Sequence, residues 1–162
     1  MTSSSKRLLV TTYPTVPHAR GVKASPDGKN YVVTLEFGNK FMVMDKNFKV
    51  LRTVDTGVTP YGIAYDRKGE RIFVAANKAK TLEVYDAKTY AKIKDIATGN
   101  RCWHFTFTPD DKEVLLACGK SDAVFVIDAE KLEVTKQIED KKTPWGVVTY
   151  PKSMGSLDTA IK

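Results

Sequence analysis

The sequence predicts an all-β fold, a β-propeller of four-stranded antiparallel blades amounting to about half a ring. Three observations carry that prediction: a turn signal repeating every 41 or 42 residues, an aspartate marker keeping the same beat, and β-rich runs that come four to a period without helical periodicity.

The turn signal is Ser25-Pro26-Asp27-Gly28-Lys29, then Asp66-Arg67-Lys68-Gly69-Glu70, then Thr108-Pro109-Asp110-Asp111-Lys112, each rich in the residues that supply tight-turn geometry. The second marker is Val43-Met44-Asp45, Val84-Tyr85-Asp86 and Val126-Ile127-Asp128. A third lies upstream of the turns, in Gly21-Val22, Gly62-Ile63 and Gly146-Val147, with His104-Phe105 in the equivalent place of the remaining repeat. Within one period the β signals are clearest at Tyr61 to Tyr65, Arg71 to Ala76, Thr81 to Asp86 and Ala91 to Ile96. Short strands bounded by turns every 8 to 12 residues, roughly, argue for a meander, and four strands at this period argue for blades around an axis. A β-solenoid is the competing architecture, disfavoured because its coils use far fewer residues per repeat.

Composition narrows the classes of function. The 162 residues are 42% apolar and carry a formal net charge of +7, an ordinary folded composition that excludes disorder and a disulfide scaffold. No apolar run approaches the roughly 20 residues of a membrane-crossing helix, and no signal region is visible. The lysines concentrate around turns, as in Lys78-Ala79-Lys80, Lys88, Lys92-Ile93-Lys94 and Lys141-Lys142, with acids interspersed. They read as solvated positions, and nucleic-acid binding is not favoured. Phosphate-binding glycine loops, a Ser/His/Asp order and an acid–base carboxylate pair are not recognisable.

Thr59 to Asn77 reads Thr-Pro-x-Gly-Ile-Ala-x-Asp-x-x-Gly-x-x-Ile-Phe-Val-Ala-x-Asn, followed by Thr81-Leu82-Glu83-Val84-Tyr85-Asp86, and Tyr31-Val32-Val33-Thr34 keeps the pattern one period earlier. This resembles the YVTN repeat of bacterial and archaeal surface-layer-type and related β-propellers. The resemblance covers residues 13–150. It implies a propeller of usually seven blades, often exported and commonly without assigned chemistry. Related propellers include quinoprotein amine dehydrogenase subunits and the haem-d1 domain of nitrite reductases, whose cofactor motifs are not found here. The expected location is periplasmic if a leader has been removed and cytoplasmic otherwise.

Aligning the repeats divides the chain into an amino-terminal segment 1–12 with an outer strand at Lys6 to Thr12, propeller blades over 13–150, and a tail at 151–162. The blades comprise three complete ones from about Arg20 to Ile138 and an inner strand at Trp145 to Tyr150. That is under four repeats. The expectation is therefore a ring completed by copies of the same chain or by another blade-bearing chain, the remaining option being that the chain is itself a fragment. The corresponding function is a non-catalytic binding or scaffold module. The alternative is a metal- or cofactor-binding subunit of a periplasmic redox enzyme, with its site at the channel mouth.

The candidate site is a column at the start of each innermost strand: Arg20, Tyr61, Trp103 and Trp145, spaced by 41, 42 and 42 residues. It sets a cation and three aromatics around the channel mouth, suited to stacking or cation–π recognition or, more blandly, to plugging the channel. His104 stands where the other repeats carry glycine. It is the expected proton-transfer group or ligand to a metal or haem-type cofactor, or else a hydrogen-bonded histidine filling space near the axis. His18 is a weaker metal-ligand candidate on the same face, with Glu36 and Asp122 in nearby loops. No cofactor is predicted outright.

Cys102 and Cys118 both fall in the third blade. A turn centred on Asp110-Asp111 sets Cys118 opposite Trp103, which sends the sulfurs to opposite faces of the sheet. Two buried thiols are expected, since a disulfide needs a slip in register.

Overall fold

A computed structural model describes residues 18–139 and 142–150. Its described strands form three four-stranded antiparallel sheets, each a meander of consecutive strands. The first blade comprises β1 (Ala19–Ala24), β2 (Asn30–Leu35), β3 (Lys40–Asp45) and β4 (Val50–Asp55). The second comprises β5 (Pro60–Tyr65), β6 (Arg71–Ala76), β7 (Thr81–Asp86) and β8 (Lys92–Ala97). The third comprises β9 (Cys102–Phe107), β10 (Glu113–Cys118), β11 (Ala123–Asp128) and β12 (Glu133–Ile138). The blade count, the boundaries near Arg20 and Ile138, and the propeller architecture agree with the sequence. The expected outer strand at Lys6 to Thr12 and the tail at 151–162 lie outside the described residues.

Each sequence marker has a local cause. Asp45 Oδ1 accepts the N–H groups of Asn47 and Lys49, both at 2.8 Å, Asp86 Oδ1 those of Lys88 and Thr89, and Asp128 Oδ1 those of Glu130 and Lys131. The aspartate thus closes the β3–β4 turn and its counterparts by satisfying donors the ladder leaves free. Those donors hold Asp86 and Asp128 below the ordinary carboxylate range. In the first β1–β2 turn the Ser25 hydroxyl donates to Asp27 Oδ1 at 2.6 Å, which together with the Lys29 backbone N–H lowers Asp27 to about 2.

Alternation along the strands packs the blades face to face. In β6, Ile72 and Val74 join Val32, Phe41 and Val43 of the first blade, while Phe73 and Ala75 join Phe107, Val114 and Leu116 of the third. Because blade two is covered on both sides, β6 is nearly continuously apolar. Edge-on ring contacts cross both junctions, Phe41 with Tyr85 at 5.1 Å and Phe73 with Phe107 at 5.2 Å. The outer strands β4, β8 and β12 are largely exposed, so Lys92, Ile93 and Lys94 sit on a strand rather than in a loop.

Cys102 and Cys118 are joined in a disulfide, which corrects the expectation of two thiols. The anticipated pairing holds from Val114↔Phe107 to Ala117↔His104 and then slips by one residue, so that Cys118 faces Cys102 instead of Trp103. This is a β-bulge, two residues opposed to one, and it is general. The same slip occurs between Ala19 and Val22 in β1 and between Pro60 and Ile63 in β5.

Glu83, on β7, is a buried carboxylate with a full set of partners. Gly57 N–H and Lys92 Nζ donate to Oε1 at 2.9 and 2.8 Å, and the Tyr85 hydroxyl lies 2.7 Å from Oε2 and 3.1 Å from the Asp55 carbonyl. Gly57 and Asp55 belong to the end of blade one and its connection, so Glu83 ties the first two blades together. Glu83→Ala is expected to lower the unfolding free energy by about 3 kcal/mol in urea denaturation, because it strands the Gly57 backbone donor and removes a partner of Lys92. A loss under about 0.5 kcal/mol, the range of an ordinary surface change, would contradict this role.

Candidate functional site

The bulge builds the site. Each inner strand opens with two residues where its partner has one, so the first of the two leaves the alternating pattern and turns toward the axis. Those residues are Arg20, Tyr61 and Trp103, the column read from the sequence. Trp145 completes it: its ring is 4.3 Å from that of Trp103 and 6.3 Å, edge-on, from that of Tyr61. The Arg20 guanidinium lies over the Tyr61 ring at 5.0 Å, and Arg101 lies over Trp103 at 5.5 Å. Arg20, Tyr61, Trp103, His104 and Trp145 all line one open axial cavity of about 500 Å³.

A second position, just after the second strand of a blade, accommodates Arg20 in the first blade and Trp103 in the third. At the end of β2 and β10 the equivalents are Glu36 and Gly119, with Asn77 between them in sequence phase. Glu36 pairs with Arg20. A Cβ at Gly119 would lie 2.2 Å from Trp103 Cζ3, so this glycine makes room for the indole. Thr34, fully buried, accepts the Gly21 N–H at 2.8 Å and donates to the Tyr61 carbonyl at 2.6 Å, holding the first bulge against the second blade.

The glycines beside the bulges exist for close approach. A Cβ on Gly21 would stand 2.7 Å from the Tyr61 carbonyl oxygen, and one on Gly62 would stand 2.7 Å from that of Trp103. His104 breaks this arrangement at the third junction. In the stretch Trp145 to Tyr150, where an inner strand was expected, residues 144–149 carry no strand pairing among the described residues. They attach instead through Val147 N–H to His104 Nδ1 at 3.4 Å and Thr149 Oγ1 to the Phe107 carbonyl at 3.0 Å. Enclosure by these neighbours, and then the charge of Lys23, hold the His104 pKa below the ordinary histidine value. The imidazole is neutral at neutral pH.

His18 is not brought to His104. It occupies a left-handed backbone position (φ 71°), its ring lies 4.5 Å from that of Phe37, and it is not among the residues lining the cavity. Asp122 Oδ1 accepts the Thr143 N–H at 2.8 Å. Among the described residues no group of three His, Cys, Asp or Glu is placed to hold a metal ion. The sequence reading also stopped at the strand starts and missed the next turn of the wall, where Val22, Lys23 and Val148 line the same cavity.

A further cavity of about 420 Å³ lies at the opposite, turn-bearing face between blades two and three. Its charges are mutually engaged, with Arg67–Asp111 at 3.1 Å, Arg71–Asp66 at 3.3 Å and Arg71–Glu130 at 3.2 Å. The Arg67–Asp111 and Arg71–Glu130 pairs fasten blade two to blade three.

Comparison with known proteins agrees with this architecture. A family model described as a YNCE-like β-propeller matches residues 67–161. Among solved structures, a hydrazine synthase of Kuenenia stuttgartiensis superposes with a TM-score of 0.77 at 23% identity, over 86% of this chain and 42% of the other. A functionally unknown protein of Desulfotomaculum acetoxidans gives 0.70 at 17%, over 80% and 45%. A putative 6-phosphogluconolactonase of Bacteroides uniformis gives 0.70 at 20%, over 78% and 41%. The chain thus spans under half the length of these structures, and at such identities the likeness is one of fold. No curated protein sequence matches it.

His104→Gly restores the residue of the other inner strands and is expected to leave the protein folded. Because the folded-state pKa of His104 is lowered, the unfolded chain takes up the proton first, and acidification below the unfolded value of about 6.5 costs stability that is fully present above it. Denaturation midpoints followed from neutral pH down to about 5 are expected to fall more steeply for the wild type than for His104→Gly. Parallel curves would contradict the assignment.

Proposed function

The chain belongs to the YNCE-like β-propeller family, and from that premise we propose that it is a non-catalytic binding and scaffold module whose arc of blades is completed by a second copy or by another chain. Within the family, the pattern over Thr59 to Asn77 favours the YVTN type of repeat. One observation carries the binding role: side chains from the inner strands of all three blades, and from the segment after them, converge on a single axial cavity. That lining offers stacking surfaces, cations and one neutral imidazole, which suits recognition rather than proton transfer between paired groups.

Completion of the ring is supported by arithmetic and by exposure. Three four-stranded blades make an arc, and the superposed structures have chains more than twice as long as the matched part. Large apolar side chains are left in solvent around the axis, with Val22 60% exposed, Trp145 60% and Val148 78%. The redox-subunit alternative would rest on His104 with or without His18, and the two histidines are not brought together at the cavity.

Light scattering on the purified protein is expected to return a dimer or larger assembly. A stable species at the chain mass of 18.1 kDa across the micromolar range would contradict completion by self-association, and failure to gain mass with any blade-bearing partner chain would contradict completion altogether.

A further inference from the structure

We propose that the axial cavity takes a planar aromatic anion, of the class of small aromatic carboxylates, with its ring system against the Trp103–Trp145 pair and its charged group received by Lys23. The inference rests on reading the cavity as a binding site and adds the chemistry of its occupant.

The argument begins with charge. The residues lining the cavity include Arg20, Lys23 and His104, and none of the described ones is a carboxylate. The two cations are not equivalent. Arg20 is already neutralised by Glu36, and its guanidinium is committed to the face of Tyr61. Lys23 has no carboxylate partner among the described residues, and its field reaches His104 strongly enough to disfavour the imidazolium. Lys23 lines the cavity at intermediate exposure, so an incoming anion would be the first opposite charge it meets among the described residues. His104 adds a directional element: with Nδ1 accepting the Val147 N–H, Nε2 carries the ring proton and is a donor.

Shape and polarity set the rest of the ligand. The indoles of Trp103 and Trp145 lie 4.3 Å apart, and the pair is flanked by Tyr61 edge-on. Trp103 is anchored in the protein while Trp145 is 60% exposed, so the second ring presents an unoccupied π surface to the cavity. Val22, Phe105 and Val148 extend that wall with apolar atoms. A flat unsaturated body is the shape that covers such a surface with least loss of conformational freedom. A volume of about 500 Å³ suits a ligand of one or two fused rings. An aliphatic dianion would leave the indoles wet, and an aromatic cation would face Lys23 without compensation.

The chain contains two tryptophans, Trp103 and Trp145, and both line the cavity, so their emission reports its occupancy. Calorimetric titration with 2-naphthoate, 2-naphthalenemethanol and 2-naphthylmethylammonium, with tryptophan emission followed in parallel, compares one ring system bearing a negative, neutral or positive group. The acid is expected to bind about tenfold more tightly than the alcohol, the effect of one charge-assisted contact, and the ammonium not measurably. Lys23→Gln is expected to bring the acid to the level of the alcohol, while Lys23→Arg retains the preference and shows that charge rather than folding is responsible. Equal binding of the acid and the alcohol, tighter binding of the ammonium, or a preference surviving Lys23→Gln would overturn the anion assignment and leave the cavity standing as a site. Absence of binding by all three, with tryptophan emission unchanged, would overturn the site itself.

Discussion

Everything on the axial side of this protein depends on how closely one inner strand can approach the next. At the first two junctions the backbone carbonyl of a column residue, Tyr61 or Trp103, sits where the Cβ of Gly21 or Gly62 would be. That approach needs the glycine and the bulge beside it together. The glycine removes the atom that would collide, and the bulge rotates the preceding side chain out of the blade-to-blade core and toward the axis. A strand without the bulge would send Arg20, Tyr61 and Trp103 into the alternation of the sheet, and no cavity of this composition would form.

The third junction shows the same constraint by its exception. With His104 in place of glycine, the segment after blade three is held by a backbone-to-imidazole hydrogen bond. In that same segment the Trp145 ring lies 4.3 Å from that of Trp103. The disulfide between Cys102 and Cys118 lies at the bulge of this same strand, whereas the equivalent pairs Ala19↔Leu35 and Pro60↔Ala76 hold without a covalent link. Local sequence, junction geometry and the chemistry of the wall thus meet at one position of the repeat, His104.

Much of this was legible in the sequence because periodic signals add up. The turn motifs at Ser25, Asp66 and Thr108 and the aspartates at 45, 86 and 128 each have a hydrogen-bonding reason to recur, and their shared period gave the blades, the phase and the axial column. What was not legible depended on local departures from that regularity. Non-glycine residues such as Lys80, Tyr90 and Leu132 adopt left-handed backbone at repeating positions because the turn demands it, without the glycine that would announce it. Bulges leave no compositional mark, so a register counted from the Asp110-Asp111 turn was right up to Ala117 and one residue off at Cys118. Glu83 reads as an ordinary outward residue in an alternating strand, and only the loop from blade one that folds over it makes it interior. His104 was visible as an anomaly, but that its imidazole accepts a hydrogen bond from the next segment required the structure.

The most direct measurement is a pair of glycine replacements at equivalent positions. Gly62→Ala introduces a Cβ 2.7 Å from the Trp103 carbonyl, while at Gly146 the nearest atom to an added Cβ is His104 Nδ1 at 3.7 Å. Ordinarily alanine in a strand is favoured over glycine by roughly 0.5–1 kcal/mol. If close approach governs the axial side, Gly62→Ala loses about 2 kcal/mol or more in chemical denaturation, and Gly146→Ala is neutral or stabilising in chain dissociated from any completing partner. Equal effects at the two sites would contradict the account.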